Sequence, residues 1–386
     1  MTKTNGKPDS LFTGEKTFHT YPWWTPRFWH GMPIGTWLNL IAERGSRASF
    51  SRWGLMATVT GLAAVNSFTE PLTAGRFRRQ IREAKATEPP LFIVGHWRSG
   101  TTLMHEMLML DDRFCCPTTY QCFAPGHFLL TEQLATAMLG WMVPSKRPMD
   151  DVSAGWNRPQ EDEFALMNLG APSPYRRMAF PLDASDQPEA LDITKLSSAD
   201  ILRWKLTVRH FLKMLSVRDS RRPALKSPPH TARMAVLAEM FPGAKFLHVV
   251  RDPFVVFPST MRLWRSLHKV QSLQVDPGDT LERYVFAAFE EMYAAFERDR
   301  VSLPPGCLYE IRYEDLVADP VGGMRAAYEQ LQLGEFDRVQ SRFQKQADSM
   351  KRYRTNSYSQ DPRIVSDIAR RWKPFIDRYG YEVPSN

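Results

Sequence analysis

Cysteine is scarce in this chain: there are four in 386 residues, at positions 115, 116, 122 and 307. That number is far too small for a disulfide-stapled scaffold. Three of the four lie within eight residues, a spacing that matches none of the paired ligand patterns of zinc sites. Buried thiols are expected instead. The chain also lacks the run of about 18 clean apolar residues that a membrane-spanning helix needs. Its most hydrophobic stretch, Trp53–Phe68, is interrupted by Thr58, Thr60 and Asn66. The first twenty residues carry Lys3, Lys7, Asp9, Glu15 and Lys16 and no apolar signal-peptide core, so a cytoplasmic location is expected. Basic tracts are short, limited to Arg76-Phe77-Arg78-Arg79 and Arg221-Arg222. With no zinc-finger, homeodomain or RNA-recognition signature beside them, no nucleic-acid partner is expected.

Fifty basic residues face forty-two acidic ones, a net charge of +8, and 12% of the residues are aromatic. Such a chain buries a sizeable core, and its surplus charge suits an anionic small molecule or a membrane surface. Near the start, Tyr21, Trp23, Trp24, Phe28, Trp29 and Trp37 precede Arg44 and Arg47. Two readings stay open for them: a helical cap buried over the core, or peripheral contact with a membrane interface.

Residues 1–88 read as a helical N-terminal extension, and the character of the chain changes at Glu88-Pro89-Pro90. Leu91–Val94 is then a short apolar run of the kind that forms a strand buried on both faces. Similar runs occur at Lys245–Val250, at Cys307–Ile311 and at Ala224–Lys226. Helical patterns separate them, at Thr102–Leu110, Leu202–Leu215, Thr231–Met240, Thr280–Arg298 and Gly322–Leu333. Strands alternating with helices predict an α/β domain over residues 89–386 with a central parallel sheet. Residues 143–192, rich in Pro and Asp, are expected to form long loops over one face of that sheet.

The sharpest local signal is Gly95-His96-Trp97-Arg98-Ser99-Gly100-Thr101-Thr102, placed between a strand and a helix. Backbone N–H groups at a helix N-terminus converge, and the helix dipole adds positive charge there, so a phosphate is the natural guest. The hydroxyls of Ser99, Thr101 and Thr102 are further donors, and Gly100 lets the backbone approach closely. Spacing is that of a Walker loop, but Thr101-Thr102 stands where Lys-Ser/Thr is expected. Arg98 is the one cation inside the loop.

Arg98-Ser-Gly-Thr-Thr102 after a buried strand resembles the 5′-phosphosulfate loop of the sulfotransferase family, which uses 3′-phosphoadenosine 5′-phosphosulfate (PAPS). Arg251-Asp252-Pro253 with Ser259 eight residues on is similar to that family's 3′-phosphate element, which assigns this role to Arg251 and Ser259. Tyr313-Glu314-Asp315-Leu316 with Asp319-Pro320 matches a third family segment. The resemblance spans roughly residues 90–375 and carries two phosphate motifs in the right order. It is closest to the branch of bacterial carbohydrate or lipid sulfotransferases and protein-tyrosine sulfotransferases.

What the resemblance implies is a P-loop-like three-layer fold and sulfuryl transfer from PAPS, as co-substrate, to a hydroxyl of a lipid, carbohydrate or small-molecule acceptor. Such transfer rests on positioning and charge stabilisation, with no metal expected. Arg98 and Lys226, the latter in Lys226-Ser-Pro-Pro-His230, are the candidates to stabilise the leaving oxygen. Glu106, one turn beyond Thr102, ranks first as the base. His105 ranks second, and Glu161 of the acidic run Glu161-Asp162-Glu163 third. Lys351, Arg354 and Asn356 are candidates to close over the adenosine. The chain departs from its relatives twice. Cytosolic members carry lysine where Arg98 stands, and tyrosine-sulfating members carry a glutamate where this chain reads Cys116–Thr119. The competing readings are a divergent P-loop kinase using ATP and Mg²⁺, which the missing loop lysine disfavours, and a non-catalytic nucleotide-binding protein.

Overall fold

A computed structural model describes residues 25–44, 47–85, 88–139, 155–275, 280–350 and 361–384. Five parallel strands, β1 (Leu91–Val94), β2 (Phe114–Cys115), β3 (Arg222–Lys226), β4 (Lys245–Val250) and β5 (Leu308–Arg312), form one sheet in the order β2-β3-β1-β4-β5. β1 sits in the middle because all four of its side chains are apolar and all four are buried. Its neighbours hold it in register, with Leu91 opposite Ala224 and Lys245, and Ile93 opposite Lys226. That pairing brings the C-terminal ends of β1, β3 and β4 to one edge of the sheet. Ligands of open α/β sheets bind at such an edge, where the strand order reverses.

Helices cover both faces and make a three-layer structure. The N-terminal segment folds as two long pieces, α1 (Ile34–Arg44) and α2 (Trp53–Glu83). Trp29 and Trp37 are fully buried in the same apolar core as Phe92 and Trp264. Their indole N–H groups are satisfied, Trp29 by the Gln271 carbonyl at 2.6 Å and Trp37 by the Thr60 hydroxyl at 2.8 Å. These two tryptophans are therefore core, which settles the cap against the membrane for them. Tyr21, Trp23 and Trp24 lie outside the described residues.

One expectation needs correcting. Residues 155–192 are not loose loops over the sheet. They hold a seven-residue helix, Asp162–Asn168, in which every side chain is buried, and a 3₁₀ turn, Pro174–Met178. β2, two residues long, was also not anticipated. Cys115, Cys122 and Cys307 are buried free thiols, as expected, and Cys116 is half-buried. Burial pushes the Cys115 and Cys116 thiols up to about 12.

Buried histidines make the fold acid-sensitive. Burial holds His96 down to about 4, and His105 and His268 down to about 3, with the Lys226 charge also acting on His105 and the Arg177 charge on His268. Above about pH 6.5 both the folded and unfolded chains carry these imidazoles neutral. As the pH falls from there toward 4, the unfolded chain takes up protons that the folded chain refuses. Stability is then lost at on the order of 1 kcal/mol per pH unit for each such histidine. We expect a lower denaturant midpoint near pH 5 than at neutral pH. An unchanged midpoint would mean that these side chains are hydrated in solution.

Candidate active site

The helix α3 (Thr101–Leu108) begins directly after Gly100, whose φ of 104° lies in the left-handed region. Two glycines make the loop before it. A Cβ on Gly95 (φ 143°) would lie 2.4 Å from the Val249 carbonyl of β4, and one on Gly100 would lie 2.3 Å from the Tyr313 ring. Neither position has room for a side chain. Arg98 also has positive φ, at 69°, a backbone conformation that costs a non-glycine residue about 1 kcal/mol or more. The loop is pinned at its start, where the Gly95 N–H donates to the Thr231 hydroxyl at 2.7 Å. The Ser99 hydroxyl is buried and has no hydrogen-bond partner. Together with the first N–H groups of α3, which have no acceptor inside the helix, it makes a donor cradle that fits a phosphate.

The second motif meets the first. Asp252 caps the helix Pro253–Gln271 by accepting from the Phe254 N–H at 2.8 Å, and this sets Ser259 on the helix's second turn. Arg98 Nε donates to the Ser259 hydroxyl at 2.9 Å, and Arg251 donates to the Arg98 carbonyl at 3.2 Å. The Arg251 guanidinium lies 4.2 Å from the Tyr313 ring centre, on the same ring that closes over Gly100. Glu314 accepts the Asp252 N–H at 3.1 Å. The three sequence segments thus form one cluster, and the Tyr313-Glu314 segment is the piece that packs the other two together.

Lys226 ends β3 level with Ile93 and is buried. Its ammonium donates to Glu161 Oε1 at 2.6 Å. The other carboxylate oxygen of Glu161 accepts from the Tyr175 hydroxyl at 2.5 Å, and that hydroxyl accepts from the Trp97 indole N–H at 2.8 Å. A chain of hydrogen bonds therefore runs from the phosphate loop through Tyr175 and Glu161 to Lys226. Behind it stands an aromatic wall, in which Phe28 stacks on Phe164 at 3.8 Å and Phe164 on Tyr175 at 4.7 Å.

The acidic run is not a solvated face. Asp162 accepts from His230 Nε2 at 2.7 Å, and Glu163 accepts two bonds from Arg233, at 2.7 and 3.2 Å, both side chains being fully enclosed. Three consecutive acids thus pair with Lys226, His230 and Arg233. This ladder fastens the segment 161–163 to the end of β3 and the turn after it. Sequence reasoning missed the ladder because its two halves lie 65 to 70 residues apart. The signal was nevertheless present: three adjacent acids, and three bases at the end of a strand and in the turn after it.

The two first-ranked base candidates sit on opposite faces of α3. Glu106 is on the exposed face of α3. His105 is buried on the opposite face, held by the Ala224 backbone of β3 and, as above, strongly disinclined to take a proton. Lys351, Arg354 and Asn356 lie outside the described residues. Among the described residues there is no group of three or more His, Cys, Asp or Glu side chains suited to a metal ion.

A parallel sheet ordered around a central strand, with a glycine-bounded loop at its C-terminal edge, defines a P-loop-like α/β fold. Comparison with known proteins takes the assignment further. The chain belongs to the sulfotransferase family, whose model matches residues 89–338. The omega-hydroxy-beta-dihydromenaquinone-9 sulfotransferases Stf3 of Mycobacterium bovis and Mycobacterium tuberculosis are each 38% identical to it over 359 residues, covering 93% of this chain and 92% of theirs. Two solved structures share its fold. Sulfotransferase STF9 of Mycobacterium avium has a TM-score of 0.64 at 18% identity, covering 92% of this chain and 98% of that one. Sulfotransferase STF1 of Mycobacterium tuberculosis has a TM-score of 0.54 at 15% identity, covering 84% and 86%.

Proposed function

We propose that the enzyme transfers a sulfuryl group from PAPS to the hydroxyl of an apolar, isoprenoid-type lipid, with Glu161 as the base. The observation that carries this reading is the Lys226–Glu161 pair, tied through Tyr175 and Trp97 to the phosphate loop. The lipid acceptor is supported by the 38% identical relatives, which are named for a hydroxylated menaquinone, and by the aromatic wall beside Glu161.

PAPS supplies the activated sulfuryl group on a phosphate leaving group. The amides opening α3 and the hydroxyls of Ser99, Thr101 and Thr102 hold the 5′-phosphate. Arg251 and Ser259 hold the 3′-phosphate, Arg251 as a bidentate donor already steadied by the Tyr313 ring. Lys226 moves its ammonium from Glu161 to the leaving oxygen and stabilises the charge that develops there. Released from Lys226, the Glu161 carboxylate accepts the acceptor's hydroxyl proton while Tyr175 keeps it oriented. Aromatic packing around the pair keeps water from competing with the acceptor.

Binding of adenosine 3′,5′-bisphosphate tests the donor half of this proposal. Calorimetry without added metal is expected to give micromolar affinity, and Arg251→Ala is expected to weaken it by roughly ten- to a hundred-fold, the worth of a charge-assisted bidentate contact. ATP should bind weakly. Tight, Mg²⁺-dependent ATP binding with no preference for a 3′-phosphate would instead favour the kinase reading.

A further inference from the structure

α2 turns one face to the core and the other to solvent, and its solvent face is apolar. Val59, Ala63, Asn66 and Thr73 are the buried stripe. On the outer side Trp53 is 59% exposed, Val65 52%, Phe68 69% and Leu72 49%, with Phe50 just before the helix 81% exposed. No ionisable residue occurs between Trp53 and Thr69. The first, Glu70, turns inward against Gly126. The last two turns then change character, with Arg76, Arg78, Arg79 and Arg82 against the single acid Glu83. Lys213, from the neighbouring helix Ser198–Arg218, brings its ammonium to the Arg82 carbonyl at 3.3 Å and adds to the same basic end. A second exposed stripe, Leu130, Leu134 and Met138, lies on the helix Phe128–Met138. That helix is joined to α2 where His127 Nε2 meets Asn66 Oδ1 at 3.0 Å.

An exposed apolar stripe of this length is unusual on a water-facing helix, since solvent faces normally carry charge. We infer that this face of α2 docks on the surface of an anionic lipid bilayer. Phe68, Leu72 and Trp53 would enter the boundary between headgroups and acyl chains, and the arginine end would engage lipid phosphates. The helix lies on the membrane, not through it, since no described helix is long and apolar enough to cross one. Charge selects this occupant over a second copy of the chain. The stripe carries no acid to pair with the arginine cluster of a partner, and two copies at +8 each repel one another. The inference stands on this surface alone and not on the identity of the acceptor.

Flotation of the purified full-length chain with vesicles tests it, comparing phosphatidylcholine alone with phosphatidylcholine plus phosphatidylglycerol. The wild type is expected to float with the anionic vesicles, roughly tenfold more than with neutral ones, and to be released by high salt. The double variant Phe68→Asp/Leu72→Asp is expected to lose about tenfold in partitioning, with unchanged circular dichroism and unchanged binding of adenosine 3′,5′-bisphosphate. The variant Arg78→Glu/Arg79→Glu should lose the preference for anionic lipid. Wild-type protein that stays unbound to anionic vesicles overturns the inference, as does equal flotation of the Phe68→Asp/Leu72→Asp variant. A wild-type dimer that this variant converts to monomer in sedimentation would assign the face to a second copy. Because partitioning is read separately from sulfuryl transfer, which can be assayed on a detergent-dispersed acceptor, either result can fail without the other.

Discussion

Glu161→Gln is expected to lower kcat by a factor of about 10² to 10⁴, the usual worth of a positioned general base. Binding of adenosine 3′,5′-bisphosphate should be unchanged. The substitution keeps the shape of the side chain, and its amide oxygen can still accept from Tyr175 or Lys226. What it removes is the ability to take a proton. Glu106→Gln, on the exposed face of α3, should change kcat by no more than a few-fold. The pair of variants discriminates cleanly: loss of turnover in Glu106→Gln with activity kept in Glu161→Gln would move the base to α3. Lys226→Met should also be slow, since it leaves the Glu161 carboxylate without its ammonium partner and, in the proposed mechanism, removes the cation assigned to the leaving oxygen.

Arg233→Met should cost about 3–5 kcal/mol of folding stability, because it leaves the enclosed Glu163 carboxylate without a counter-charge. In a chain of this size that corresponds to a fall in Tm of roughly 5 °C. Arg233 does more than pair with Glu163. It donates to the Leu191 and Ala190 carbonyls at 3.1 and 2.8 Å, and its guanidinium lies 5.1 Å from the Trp204 ring centre. Removing both charges in Arg233→Met/Glu163→Leu should recover part of the loss, since the carboxylate is no longer stranded, but not the contacts to the two carbonyls. Equal stability of Arg233→Met and wild type would show that the ladder is not what fixes Glu161. The ladder also links stability to the proposed catalysis: a segment that loosens at Glu163 loosens two residues from the proposed base, so turnover should fall ahead of global unfolding.

Much of the framework could be read from local patterns. Leu91–Val94 announced itself as a central strand because a strand buried on both faces has no polar alternation to disguise it. The loop after it was legible because close approach to Val249 and Tyr313 demands glycine at Gly95 and Gly100. The burial of Trp29 and Trp37 matches the cap reading, one of the two that the sequence left open. What escaped was long-range. Glu161-Asp162-Glu163 looks like a solvated charge run until Lys226, His230 and Arg233 are brought opposite it, and no periodicity in either segment specifies that meeting. His105 and Glu106 stand side by side in sequence near the loop, yet the helix turns one into β3 and the other to solvent. Distance along the chain from the phosphate loop therefore could not tell which of the two faces the sheet. β2, with only Phe114 and Cys115, is too short for any pattern to mark it.

The most direct test of the account is transfer itself, followed by mass spectrometry with PAPS and an ω-hydroxylated polyprenyl quinone in the presence of a metal chelator. The account predicts an acceptor heavier by one sulfuryl group, with one adenosine 3′,5′-bisphosphate released per product and none formed by Glu161→Gln at the wild-type rate. A protein that binds the bisphosphate but leaves PAPS intact with every hydroxylated acceptor offered, or that phosphorylates the acceptor from ATP and Mg²⁺, would contradict it.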